Sequence, residues 1–173
     1  IFMGYFMNQA KIPTILLYCT TLLMCSILTM TQLSAKEWLV EDKNAYIKAL
    51  KEVKAGDEIV LANGTWNNFE ILFEGNGTQK KPISLTAETK GKVFLTGQSN
   101  LRLAGKHLIV SGLVFKNGYT PSSEVISFRK NKKELAFHSR ITEVVIDNYS
   151  NPDRFESDYW VGIYGQYNRF DHN

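Results

Sequence analysis

From Gly56 onward the chain is a succession of short apolar runs, several of period two, each cut off by turn residues. The runs are Glu58 to Ala62, Phe69 to Phe73, Pro82 to Ala87, Lys92 to Leu95, Leu101 to Leu103, His107 to Val110, Leu113 to Phe115, Val125 to Phe128, Val144 to Ile146 and Val161 to Tyr164. Runs this short do not make helices, and so many in series predict an all-β fold. Asn63-Gly64, Asn76-Gly77 and Asn117-Gly118 are turn dipeptides that reach positive φ at low cost. Asn63 and Asn76 also open Asn-x-Thr sequons, but the turn reading is preferred and no glycan is assigned.

The other strong periodicity is helical. Asp42 to Lys54 places Ala45, Tyr46, Ala49, Leu50 and Val53 on one face and stops at Gly56. A sandwich or barrel would join the strands by tight hairpins; a parallel β-helix repeats an apolar triplet once per coil. The spacing favours the coil. Aligning Val110-Ser111-Gly112 with Ile146-Asp147-Asn148 and Phe170-Asp171-His172 gives offsets of 36 and 24 residues, the longer one accommodating an inserted loop at Lys130 to Ser139. The helix then has a task, because the first coil of a solenoid exposes an apolar end that an amphipathic helix covers.

Ahead of all this, Ile12 to Met30 is uncharged and mostly apolar, follows Lys11, and leads to Leu33-Ser34-Ala35. That order predicts a signal peptide within residues 1–35, starting at Met7 with upstream translation before it, rather than a membrane anchor or a lipidated Cys25. Cleavage after Ala35 removes Cys19 and Cys25, leaving an exported, thiol-free chain of residues 36–173, secreted or periplasmic and without a stable membrane anchor. The formal charge of +3 rests on 20 Lys and Arg against 17 Asp and Glu, too balanced to point to nucleic acid. A chain of 173 residues that starts on Ile1 and stops at Asn173 in mid-pattern is expected to be a fragment.

Three segments resemble polysaccharide lyase family 6, which contains chondroitinase B and many alginate lyases. They are the opening from Trp38 to Trp66, His107 to Pro121, and Asn151 to Asn173. The most specific pieces are Asp158-Tyr159-Trp160-Val161 and Asn168-Arg169-Phe170-Asp171-His172-Asn173. The resemblance implies a right-handed parallel β-helix (solenoid) with an N-terminal capping α-helix, here truncated at its C-terminal end. It also implies cleavage of a uronate polymer, alginate before chondroitin or dermatan sulfate, by calcium-assisted β-elimination. That chemistry needs a cation on the uronate carboxylate, because removing the C5 proton adds charge to an anionic group. Calcium with Asn and Glu ligands serves in the family, with Lys as base and Arg as helper. The resemblance places all of these on coils beyond Asn173, so no catalytic or metal residue is assigned here and the fragment alone is expected to be inactive.

The candidate substrate-binding residues within the chain are His172, Arg169 and Tyr167, all in or beside the most specific motif. His107 and His138 lack metal spacing and read as structural. Tyr159, Trp160, Tyr164 and Tyr167 offer either a sugar-stacking platform or filling for the solenoid interior, with the interior preferred. Lys130, Lys132 and Lys133 read as a solvated loop that would also suit a polyanion. Asp147, Asp153, Glu156, Asp158 and Asp171 keep open a glycoside hydrolase on the same fold. A non-catalytic carbohydrate-binding or adhesion solenoid is the remaining alternative.

Overall fold

The computed structural model describes residues 34–153 and 155–173, so the leader expected within residues 1–35 lies almost wholly outside the described part. Three strand rows wind around one apolar core. Face A carries β1 (Glu37–Val40), β2 (Glu58–Leu61), β5 (Ile83–Ala87), β8 (Leu108–Ser111), β12 (Arg140–Thr142) and β15 (Arg169–Asp171). Face B carries β3 (Gly64–Asn67), β6 (Val93–Gln98), β9 (Leu113–Tyr119) and β13 (Val145–Tyr149). Face C carries β4 (Glu70–Asn76), β7 (Asn100–Lys106), β10 (Glu124–Ser127), β11 (Ala136–Phe137) and β14 (Tyr159–Gly162). Every strand pair in the three sheets is parallel, and the chain visits A, B and C in turn through four coils. This is the parallel β-helix expected from the sequence.

Alternation makes the core. One side chain in two points inward, and coils in register stack like on like: Ile59, Leu85, Val110, Ile141 and Phe170 form one column. Ile71, Leu101, Ile126 and Val161 form another on face C. Trp66, Leu95, Phe115 and Ile146 form the column on face B. Burial of such columns is the main stabilising term, since each fully buried aliphatic or aromatic side chain contributes about 1.5–3 kcal/mol.

The helix α1 (Lys43–Glu52) begins where the Asp42 side chain accepts a hydrogen bond from the Ala45 N–H at 2.7 Å, satisfying one of the free donors of the first turn. Tyr46 and Ala49 are its buried residues. The Tyr46 ring meets Phe69 edge-on at 5.3 Å and its hydroxyl donates to Leu72 O at 2.9 Å. The helix thus closes the apolar end of the first coil, as its amphipathic pattern predicted. Among the described residues no helix is long and apolar enough to cross a membrane.

The coil repeat departs from the sequence alignment. Val110 pairs with Ile141, and Ile141 with Phe170, giving offsets of 31 and 29 residues. Ile146 lies on face B opposite Phe115 instead. The alignment slipped by five residues because successive strands of one coil carry the same apolar alternation. The inserted loop is also shorter than expected. An antiparallel bridge between Arg129 and Leu135 closes it, and Ala136 and Phe137 rejoin face C beside Gly105 and Lys106. Asn117-Gly118 is not a turn between strands: it sits inside β9, with Asn117 at φ 53° next to a register shift between β6 and β9.

A charged ledge on face A as the candidate functional site

The outward residues of face A form one continuous row through the coils: Glu37, Glu58, Ser84, Ile109, Arg140 and Arg169. Its charge reverses along the solenoid, acidic near the cap and basic on the last two strands. In the neighbouring row Asp171 follows Thr142. Its carboxylate is gripped by both arginines. Arg140 Nε donates to Oδ1 at 2.8 Å and Arg140 Nη2 to Oδ2 at 3.0 Å, while Arg169 Nη2 lies 2.6 Å from Oδ2. His172 Nδ1 stands 3.2 Å from the same oxygen.

The hydrogen bonds from Arg140, opposed by partial burial and reinforced by the charges of Arg140 and Arg169, hold the Asp171 carboxyl at about 2. The carboxylate in return raises the Arg140 guanidinium above its ordinary value. A depressed carboxyl stabilises the folded chain above the ordinary Asp value of 3.8, and that contribution is lost as the pH falls from there through about 2. A carboxyl-carbon NMR titration is expected to show Asp171 still ionised at pH values where exposed Asp side chains are protonated. Arg140→Ala is expected to return its midpoint toward the ordinary range, and an unmoved midpoint would contradict the assigned cause.

Of the sequence-predicted residues, Arg169 and His172 meet at this cluster. Tyr167, at 74% exposure, lies at the corner leading into β15. It stacks on His138 at 4.7 Å, and His138 on His107 at 5.0 Å. Arg140 was not singled out from sequence, although Arg140-Ile141-Thr142 and Arg169-Phe170-Asp171 share a pattern at the coil offset. The interior placement preferred for the four aromatics fails for three of them: Tyr159 is 64%, Trp160 52% and Tyr167 74% exposed. Tyr159 and Trp160 belong to β14, the end strand of face C, which pairs with a neighbour on one side only. Tyr164 lies under the Arg129 guanidinium and donates to Glu124 Oε1 at 2.6 Å.

The motif residues Asn168 and Asn173 join one coil to the next. Asn168 Oδ1 accepts from Ser139 N at 2.9 Å and its Nδ2 donates to Ala136 O at 2.8 Å. Asn173 Oδ1 accepts from Val144 N at 2.8 Å. These amides supply partners to backbone groups at the corners, where the strand ladder stops. Lys130 of the basic loop is held by Glu74 Oε2 at 2.9 Å and Glu134 Oε1 at 3.5 Å. One of that cluster's three charges is therefore spent locally.

The acidic residues scatter. Asp147 is on face B, Asp158 precedes β14 of face C, and Asp171 is on face A with its charge neutralised. Among the described residues no three His, Cys, Asp or Glu side chains gather to hold a metal ion. The calcium implied by resemblance therefore finds no such ligand set in this part of the fold, and no step is assigned to it here. What the ledge offers is anion recognition: two planar guanidinium forks, fixed by one carboxylate, with donors to spare.

The family model for chondroitinase B matches residues 40–173. The solved structure of the PL6 alginate lyase AlyGC is 66% identical with a TM-score of 0.78, over 79% of this chain and 19% of AlyGC. A mannuronic acid specific family 6 lyase from human gut microbiota is 33% identical with a TM-score of 0.71, over 79% of this chain and 33% of that one. Pedsa3628, a PL6 lyase from Pseudopedobacter saltans, is 31% identical with a TM-score of 0.62, over 76% of this chain and 29% of that one. The chain thus spans a third or less of the length of these relatives. No curated protein sequence matches it. The family model spans nearly all of the described residues, the solved relatives share the fold, and the chain belongs to the chondroitinase B family, polysaccharide lyase family 6.

Proposed function

We propose that this chain is the cap and first coils of an exported lyase that cleaves alginate by calcium-assisted β-elimination. Its own part in the reaction is to hold the acidic polymer. The observation that carries the reading is the Arg140–Asp171–Arg169 cluster on face A, in a chain 66% identical to an alginate lyase. A uronate presents one carboxylate per sugar, and the planar fork of arginine matches a carboxylate with two parallel hydrogen bonds. Arg169, with His172 and Tyr167 beside it, is read as a substrate contact, and Arg140 joins them. The base, its arginine helper and the calcium ligands are assigned to coils outside residues 34–173. Export rests on the apolar stretch from Ile12 to Met30 and the Leu33-Ser34-Ala35 ending.

Incubation with alginate tests the reading, following the absorbance of the C4–C5 double bond that β-elimination creates. The 173-residue chain is expected to bind alginate and give a flat trace. The complete gene product is expected to give a rising trace that a chelator stops. A complete product inactive on every uronate polymer, or one whose products lack the double bond, would sink the lyase reading in favour of a binding solenoid or a hydrolase.

A further inference from the structure

We infer that His107, His138 and Tyr167 form a track along the solenoid axis that seats successive sugars of an acidic polysaccharide, extending the ledge on face A toward the cap. The inference rests on the proposed function for the class of polymer, and on separate observations for the place. The three residues occupy the same corner, between faces C and A, on consecutive coils. Their rings lie nearly parallel, at 16° and 14°, with centroids 5.0 and 4.7 Å apart. That is the rise of one coil, and it is close to the length of one pyranose in an extended 1→4-linked chain. Lys106, Phe137 and Gln166 complete a groove of about 380 Å³ around them.

The backbone gives the reason to look beyond packing. All three residues have positive φ, at 52°, 51° and 60°, a conformation that costs a residue with a Cβ about 1–2 kcal/mol. The corner between faces B and C makes the same demand and meets it with Asn68, Gly97, Asn117 and Asn148, the residue types that accept it most readily. The corner between C and A uses two histidines, which also visit this region, and a tyrosine, which seldom does. Tyr167 is thus held in a strained conformation where a less costly residue would serve, which points to a use for its side chain. Stacking leaves ring edges, with their nitrogens and hydroxyl, as the polar surface along the groove. Lys106 adds the one full positive charge among the groove's lining residues, suited to a carboxylate. The scaffold is fixed: His107 N donates to Phe137 O and His138 N to Gln166 O, both at 3.0 Å.

The test titrates the 173-residue chain with mannuronate oligomers prepared from alginate, a dimer and a hexamer, by calorimetry. His107→Asn and His138→Asn remove the rings while keeping a residue that tolerates the backbone conformation. For each, hexamer affinity is expected to fall roughly five- to tenfold, as for a lost hydrogen-bonding contact, while dimer affinity at the arginine ledge stays as in the parent. A purely structural role would lower the melting temperature and weaken dimer and hexamer alike, and that result overturns the inference. Unchanged hexamer binding in both variants also overturns it, leaving the proposed function standing. If the parent chain binds no uronate oligomer of either length, the proposed function itself fails and the track fails with it.

Discussion

Gly105→Ala is expected to lose about 3 kcal/mol of stability, combining overpacking with a strained backbone. Gly105 has φ +111° and lies near the end of β7, in register with Gly75 of the preceding coil. A Cβ built there stands 1.9 Å from the Gly75 carbonyl oxygen and 2.9 Å from its carbonyl carbon. The obstacle is backbone, so no rotamer change relieves it. Strand β4 would have to move, and with it the two columns in which Ile71 and Phe73 sit at zero exposure. The Gly105 N–H also donates to Leu135 O at 3.0 Å, which ties the loop of the next coil to this point. Gly91→Ala is the control. It too has positive φ, +75°, but a Cβ there meets nothing within 4 Å, so only the backbone cost of about 1 kcal/mol remains. Urea unfolding of both variants should separate them by roughly 2 kcal/mol. Equal losses would mean that close approach between coils is not what requires glycine at Gly105.

Close packing between coils also explains which parts of the fold could be read in the sequence. All ten apolar runs overlap strands, because two inward side chains suffice to mark a strand, though Val161 to Tyr164 shares only its first two residues with β14. The strands that escaped notice are β1, β3, β11 and β12, while β15 was read only as the coil triplet Phe170-Asp171-His172. Each is short, and β12 contributes a single apolar residue, Ile141, to the column between Val110 and Phe170. Such strands exist because a neighbouring coil supplies their hydrogen bonds, and no local pattern records that. The repeat was nevertheless present: His107-Leu108-Ile109-Val110-Ser111, His138-Ser139-Arg140-Ile141-Thr142 and Tyr167-Asn168-Arg169-Phe170-Asp171 align residue by residue. Reading the ring at the head of each segment, rather than its apolar centre, would have set the register and brought Arg140 and Arg169 side by side. The fate of Asp171 was beyond sequence reading. It looked like a candidate acid until the two arginines took its charge.

That neutralisation sets the final expectation. Arg140→Ala should weaken oligouronate binding by the 173-residue chain about 10- to 100-fold, the range for losing a charge-assisted contact of about 1.5–3 kcal/mol. Two effects add. The substrate loses a fork, and Asp171 loses its bidentate partner, leaving a carboxylate less well screened beside an anionic sugar. Arg169 still holds one oxygen, but through a single contact from a more exposed side chain. If repulsion from the released carboxylate is part of the loss, Arg140→Ala should cost less when Asp171→Asn is already present. The double-mutant cycle then shows a coupling on the order of 1 kcal/mol. The salt dependence should follow, since the component due to repulsion is screened while the lost hydrogen bonds are not. Purely additive losses would leave Arg140 as an independent contact and deny Asp171 any part in shaping the ledge. Binding by Arg140→Ala equal to the parent would remove face A from the substrate's path altogether.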